Sequence, residues 1–558
     1  MDRASDPAEP MTQGGGVVVG RGIAAAAILL MFGTVLSRIL GLVREQLAAG
    51  KFGTGDEIAA FTVADNVATL LYDLLVSGML QAALIPVLAQ WAMPDAASRA
   101  ELRRISGALL TVVLIAVGTL ALLGMIFAPA IVDLMTSIGG EGDARGAETV
   151  ELTITMVRWI LPSTVLLCAA GVLMAVLHAI GRVEGPSLAL AARNAVVVIA
   201  IVVASGSLGV KSLAVGSVAG AGAILLLQVW PLIRSGALPR PNLAVNHPAV
   251  RQVLGLYGPV FAGLLVSTVA VVIDRNLAWG AGEDALGAMR YATTIVQMVL
   301  GVVAAAISLA ALPALSRHFT RGDETSYRAT LDRAVTMTAV LILPATFGLA
   351  AIGKPVVDLL FRHGATGETG AHEILIALLG YLPGTLAAAF DQILIFACYA
   401  RRDTRTPVIV GVVSVGIYFV VALALVQPMG MLGLVLANSA QWGGHALILW
   451  WIVRRRLGPA TDGALRQTTL AVSLAALVSA AVAGVIWIGL DVVLPQGSSS
   501  VLSVLRELTI VGAPVAVAGL VYVAILLLRR VEEMTVLLRA TLGRFVTLPE
   551  GFGPRSSS

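Results

Sequence analysis

PVIVGVVSVGIYFVVALALV, residues 407–426, carries no charged side chain. A helix crossing a bilayer needs roughly 20 mostly apolar residues, and this stretch supplies them. It lacks the strict alternation of a barrel strand. In hydrocarbon every backbone amide must be satisfied within the segment, so a non-alternating run of this length reads as a membrane-spanning helix. Arg401, Arg402, Asp403, Thr404 and Arg405 precede it, and the next apolar run, 430–453, ends in Arg454, Arg455 and Arg456.

Runs of the same kind lie near 23–49, 58–92, 105–137, 151–179, 187–206, 212–233, 250–278, 286–316, 330–361, 371–399, 466–490 and 502–528. Together they predict about fourteen spans. The composition agrees, with 58% hydrophobic and 13% charged residues and a mean hydropathy of +0.91, where a soluble chain carries about 25% charged residues. The pI near 9.3 rests on a net charge of only +4. Excess Lys and Arg in a membrane protein belong to cytoplasmic loops, so nucleic acid is not an expected partner.

Charge placement sets the orientation. With the N-terminus cytoplasmic, the loops after even-numbered spans carry Arg99, Arg103, Arg104, Arg182, Arg234, Arg240, Arg317, Arg321 and the two clusters named above. Arg529 and Arg530 follow the last span. The opposite loops hold little positive charge, namely Lys51, Arg145, Lys211 and Arg362, and several acids, among them Asp56, Glu57, Glu141, Asp143, Glu283 and Asp284. This is the positive-inside pattern. One missed helix would scramble it downstream.

The chain also repeats. Gly53 and Gly280 pair with the same offset as Pro86 and Pro313. A slightly shorter offset relates Pro186 to Pro407, Gly209 to Gly430, Trp230 to Trp451 and Arg234 to Arg455. Six spans therefore match six later ones in parallel orientation, a transporter signature with the substrate path at the repeat interface. The expected fold is an all-α polytopic membrane protein: two pseudo-symmetric six-helix lobes plus two C-terminal helices. The expected bounds are a disordered cytoplasmic tail at 1–22, an N-lobe at 23–235, a C-lobe at 248–456, a helix pair at 464–530 and a second cytoplasmic tail at 531–558. Residues 1–22 lack the basic and apolar regions of a signal peptide.

No catalytic constellation and no Walker A motif are present, so neither an enzyme nor an ATP-driven pump is expected, and no cofactor or metal. Cys168 and Cys398 lie in apolar runs and read as small core residues. The six histidines, including His178, His247, His318 and His363, read as loop or helix-end residues that form no ligand cluster.

Ionisable residues at membrane depth are the functional pointers. The first span carries Arg38 and Arg44, with Gly41 between them as a place to bend and Glu45 alongside. An arginine at a helix centre costs roughly 2.5–3.5 kcal/mol by insertion scales, and guanidinium groups bind phosphate oxygens bidentately. Both therefore read as anion ligands, with structural ion pairing as the alternative. The second span has a polar stripe of Thr62, Asn66, Thr69, Asp73, Ser77 and Gln81, flanked by Asp65 and Tyr72. It reads as a cavity lining or, equally, as the source of an acid that pairs with Arg38 or Arg44. Asp274, Arg275 and Asn276 end the seventh span and Arg290 opens the eighth, as an outer gate, a cation-linked site or interfacial anchors. A sodium ion at Asp274 would need oxygen partners, and span 407–426 offers only Ser414 and Tyr418. Arg158, Arg193 and Asp391 are candidates for ion pairs within a lobe.

SRILGLVRE (37–45), SGMLQAALIPVLAQ (77–90), VIDRNLA (272–278), SLAALPALSR (308–317) and above all YARRDTRTPV (399–408) resemble the MurJ/MviN family within the MOP superfamily, in order over residues 23–456. The resemblance implies two six-helix lobes around a V-shaped cavity and a hydrophobic groove on the last two helices. It implies a bacterial inner-membrane flippase that moves lipid II, a polyprenyl diphosphate bearing a disaccharide pentapeptide, by alternating access, with Arg38 and Arg44 on the diphosphate. It makes this lipid the expected partner, with membrane-potential or cation coupling. Ala59, Tyr72, Ser77 and Thr294 stand where the family usually carries charge, which leaves a related lipid-linked glycan open as the substrate. Two other classes stay open: a MATE-like drug or cation antiporter, which would use Asp65 and Asp73, and a non-transporting scaffold that binds cell-wall synthesis proteins.

Overall fold

A computed structural model describes residues 14–74, 84–93, 95–137, 145–244, 246–457, 464–494 and 500–542. These are helical apart from short connections. The helices are α1 (Gly14–Phe52), α2 (Asp56–Tyr72), α3 (Ile85–Ala89), α4 (Ala96–Ile126), α5 (Ala128–Thr136), α6 (Gly146–Ala179), α7 (Glu184–Leu208), α8 (Lys211–Ser235) and α9 (Pro248–Gly280). They continue with α10 (Ala285–Thr320), α11 (Glu324–Phe361), α12 (Gly367–Ala400), α13 (Arg405–Met429), α14 (Met431–Leu457), α15 (Ala464–Val493), α16 (Ser500–Leu528) and α17 (Glu532–Leu542). Among the described residues, nine helices are long and apolar enough to cross a membrane. The remaining long helices, α1, α9, α10 and α14, each carry charged or polar residues within their apolar runs.

One expected span is divided. The run 105–137 breaks at Phe127 into α4 and α5. Pro129 lacks the amide that would continue the ladder and crowds the preceding turn. Within the run 58–92 the described residues form α2 and α3. The region expected as a tail from 531 opens with α17, because Val531 and Met534 join an apolar core with α11, α15 and α16.

The chain forms two compact units. One comprises Met1–Leu47, Val63–Asp133 and Val150–Val271; the other comprises Ala48–Thr62, Leu134–Thr149 and Val272–Ser558. This differs from the expected bounds in three ways. Residues 248–271, expected in the C-lobe, belong to the first unit, where Val250 and Val253 join its core. The short segments 48–62 and 134–149 belong to the second unit, as does the helix pair 464–530. Hydrogen bonds described below hold the two short segments there, and the apolar contact of α15 and α16 with α11 holds the helix pair.

The first unit packs Leu102, Ile105 and Leu109 of α4 against Leu173 and Leu177 of α6 and Val250 and Val253 of α9. The second has two cores. In one, Leu343 of α11 meets Ala476 of α15 and Leu526 of α16, and the Tyr522 hydroxyl donates to the Val340 carbonyl at 2.7 Å. In the other, Leu331, Ile393 and Leu449 meet, and the Tyr327 hydroxyl donates to the Ala397 carbonyl at 2.6 Å. Val203, Leu226, Val420 and Leu520 are exposed, as apolar side chains facing acyl chains should be.

The repeat is visible in local structure. Gly209 and Gly430 both end a helix with positive φ, 55° and 54°, and both donate an amide to the carbonyl four residues back. Arg234 lies 4.6 Å from the Trp230 ring, and Arg455 lies 4.4 Å from the Trp451 ring. The same cation–π pair thus closes the same helix in each half. Gly53 takes φ +69°, but Gly280 has no positive φ, so that pair is not equivalent.

Candidate functional site

In the first unit, the end of α1 meets α7 through polar groups. The Arg44 Nε and Nη2 donate to Glu45 Oε1 at 3.1 and 2.5 Å, and Nη1 donates to Asn194 Oδ1 at 3.1 Å. Asn194 in turn donates its amide to the Ser37 carbonyl at 3.0 Å. Gly41 sits where a Cβ would be 3.4 Å from that amide, so its missing side chain leaves room for Asn194. Glu45 is buried and Arg44 is partly exposed. A guanidinium has five N–H donors, and these bonds use three. The group is therefore held in place with two donors left over. Arg38 is half-buried six residues earlier on the same helix.

One acid of the second span has a cationic neighbour on α7. Asp65 lies 3.9 Å from Arg193 of α7, whose stem rests on Gly220. Asn66 keeps a buried amide nitrogen without a hydrogen-bond partner. Thr69 is exposed, Asp73 is half-buried, and Tyr72 packs against the apolar core of the unit. Ser77 and Gln81 lie outside the described residues. Of the other expected pairs, Arg193 has its acid, while Arg158 donates to the Met125 carbonyl at 3.1 Å.

The second unit gathers Asp274, Arg275 and Tyr418. The Tyr418 hydroxyl donates to Asp274 Oδ1, and the Arg275 Nε lies 3.6 Å from Oδ2. Asn276 is buried and donates to the Leu134 carbonyl at 2.6 Å. The Arg290 guanidinium sits 4.8 Å from the Phe61 ring. A tyrosine thus stands where a second acid would be needed for a strong cation site.

One cluster escaped sequence reading, and a second gives Asp391 an unexpected partner. Arg145 is almost wholly buried, with an ion pair to Asp56 at 2.9 Å and bonds to the carbonyls of Trp279 at 3.1 Å and Gly282 at 2.5 Å. Burial pulls its pKa down from the usual value, against the opposing pull of Asp56. Beside it, the Thr54 hydroxyl donates to Asp284 at 2.5 Å, Tyr291 to the Gly53 carbonyl at 3.0 Å and Thr366 to the Ala49 carbonyl at 2.8 Å. A lone arginine among outer-loop acids was the available signal. The second cluster corrects the reading of the histidines. His445 lies in the body of α14, buried against Asp391 of α12.

The motif YARRDTRTPV is a loop lock. Arg402 takes a left-handed φ of 61° after α12. The Asp403 carboxylate then accepts the Thr406 amide at 3.0 Å, the Thr406 hydroxyl at 2.6 Å and the Arg456 guanidinium. Burial works to raise the Asp403 carboxyl, but the bonds from Thr406 and Arg456 outweigh it and hold the pKa at about 2, below the ordinary 3.8. Asp403→Ala should cost about 0.5–2 kcal/mol, as for a lost helix cap. A depressed carboxyl stabilises the fold above its unfolded pKa and loses that contribution on acidification. The wild-type advantage over Asp403→Ala should therefore be full above pH 3.8 and vanish toward about 2, as read by unfolding in detergent across that range.

The all-helical fold, the repeated local structure and the buried charges define a polytopic transporter of the MATE-like architecture. A solved MATE multidrug transporter of the MOP superfamily, inward-facing, aligns with a TM-score of 0.62 at 16% identity, covering 79% of this chain and 99% of its own. A solved lipid II flippase MurJ, inward closed, aligns with a TM-score of 0.73 at 20% identity, covering 92% of this chain and all of its own. The family model described as lipid II flippase MurJ matches residues 48–507, and the chain belongs to that family. A lipid II flippase MurJ of Burkholderia cenocepacia is 27% identical over 440 residues, covering 77% of this chain and 84% of that protein. A probable lipid II flippase MurJ of Vibrio cholerae is 26% identical over 434 residues, covering 76% and 81%.

Proposed function

We propose that this protein translocates lipid II across the bacterial cytoplasmic membrane. The family match over residues 48–507 carries the reading. A diphosphate headgroup cannot enter hydrocarbon unpaired, because an isolated buried charge is prohibitively expensive. The chain's contribution is a guanidinium fixed on a polar seam. Glu45 and Asn194 orient Arg44, and its two remaining donors suit phosphate oxygens. Arg38, six residues earlier, would meet the ligand at a second depth. Asp65, Asn66, Thr69, Tyr72 and Asp73 in the first unit, and Asp274, Arg275 and Arg290 in the second, are the further candidate contacts for the substrate.

The headgroup would cross by alternating access while the isoprenoid tail stays in lipid. The membrane potential supplies about 2.3 kcal/mol per elementary charge at 100 mV, which favours it as a driving force. The arginine-rich loops favour cytoplasmic termini.

Native mass spectrometry of the purified protein should detect co-bound lipid diphosphate. Replacing Arg44 with glutamine removes charge-assisted bonds worth about 1.5–3 kcal/mol, so apparent affinity should fall roughly 10- to 100-fold. Full growth of flippase-depleted cells on the Arg38→Gln Arg44→Gln double variant would show that these arginines do not carry the substrate.

A further inference from the structure

The apolar body of α12 contains one acid, Asp391, and the body of α14 contains one histidine, His445. Asp391 is 1% exposed and His445 7%. The His445 Nδ1 lies 2.5 Å from Asp391 Oδ1, and its Nε2 lies 3.2 Å from the Pro407 carbonyl at the start of α13. A carbonyl only accepts, so Nε2 must carry a hydrogen. The close contact between Nδ1 and Oδ1 then requires one further proton between them. It is held either as imidazolium and carboxylate or as imidazole and carboxylic acid. Both forms are net neutral. Loss of one proton would leave a carboxylate against a neutral imidazole, a net negative charge whose burial is costly without water.

The pair is not needed to fasten α12 to α14. One turn and more away, the Ser439 hydroxyl already donates to the Gly380 carbonyl at 2.6 Å and accepts the Gly384 amide at 3.1 Å. Well-packed apolar residues would serve adhesion as well as a buried ionisable pair or better. The site is also built to exchange. Asp391 Oδ2 is buried without a hydrogen-bond partner among the described residues. Gly411 of α13 presents no side chain to the ring, its Cβ position lying 3.8 Å from Nε2.

We propose that Asp391 and His445 form a proton-binding site that couples translocation to proton uptake and release; this rests on the flippase reading above. The proton stays on the pair while α13 covers it. When α13 withdraws the Pro407 carbonyl, water reaches the uncovered Nε2–H and takes that proton, while the proton shared with Oδ1 settles on Nδ1 against the carboxylate. Few other charges compete. On α12 the charge of Asp391 reaches Cys398. The only charged residue of α13 is Arg405, at its start. At the end of α14, Arg454 is bonded to Asp332 of α11, Arg455 covers Trp451, and Arg456 is bonded to Asp403. The charged residues of α10, which are Arg290, Arg317 and His318, and those of α11 stand toward the helix ends.

Two measurements test the proposal. The first is infrared titration of the carboxyl stretch in purified wild-type protein between pH 5 and 9. Read together with the imidazole ring bands, it should show one buried carboxyl or imidazole gaining or losing its proton, a signal absent from the Asp391→Asn His445→Gln double variant, which keeps hydrogen-bonding groups at both positions. The second is lipid II translocation in proteoliposomes across the same range and under an imposed pH gradient. The wild-type rate should vary several-fold, and the double variant should give a flat profile with residual activity. An unchanged profile in a folded double variant would overturn coupling, and so would the absence from the wild type of any titrating carboxyl or imidazole that the double variant lacks. A wild type that titrates but moves no lipid II at any pH would refute the substrate and leave the proton site standing.

Discussion

Arg145→Ala is expected to lower the unfolding free energy of the purified protein by about 2–5 kcal/mol. Three bonds hold this guanidinium, to Asp56, the Trp279 carbonyl and the Gly282 carbonyl, and its carbon lies 5.1 Å from the Trp279 ring centre. Its side chain is 1% exposed, while that of Asp56 is 40% exposed. Water can therefore rescue Asp56 after the substitution, and the loss falls mainly on the two carbonyls. Arg145→Lys should recover part of the loss, because an ammonium supplies the charge but not the planar fork that reaches three acceptors at once. Thermal unfolding in detergent reads both variants. A melting temperature unchanged in Arg145→Ala would mean that segments 48–62 and 134–149 are held by other contacts.

Gly33→Ala should also be damaging. A Cβ at this position would stand 1.9 Å from the Ser187 carbonyl oxygen and 2.8 Å from its carbon. Both atoms are backbone, within the first turn of α7, so no rotamer change relieves the overlap. The two helices must separate, and overpacking of this kind costs about 1–3 kcal/mol or more. The same shift would pull Asn194 away from Arg44 and Ser37. Both folded yield and lipid diphosphate binding should therefore fall together. Wild-type yield with normal binding would show that α1 and α7 approach less closely than described.

Much of the fold was readable because hydrocarbon imposes length and polarity on each span. The run 407–426 became α13 within a few residues, and the loops between spans follow the arginines. The break at Phe127 was readable from Pro129 but hidden by the apolar run around it. The site was less legible. Arg38 and Arg44 stood out because charge in an apolar run is conspicuous. Their partners did not, since Glu45 is the adjacent residue and neighbours in a helix ordinarily do not face one another. Asn194 comes from a distant helix. The contact of Asp65 with Arg193 depends on the packing of α2 against α7. Asp391 stood out as a candidate for an ion pair, but its partner His445 did not, and only the approach of α12 to α14 makes them a pair. The YARRDTRTPV motif identified the family yet serves loop closure, so it reports ancestry more than ligand.

Helix α17 sets a practical boundary for handling the protein. Val531 is 5% exposed and Met534 6%, both tucked against the last two spans and α11. Cutting the chain directly after Leu528 to attach a reporter or an affinity handle would strip that cover and bare an oily strip at the end of the bundle, an invitation to aggregate. A fusion joined beyond Leu542 keeps the cover in place.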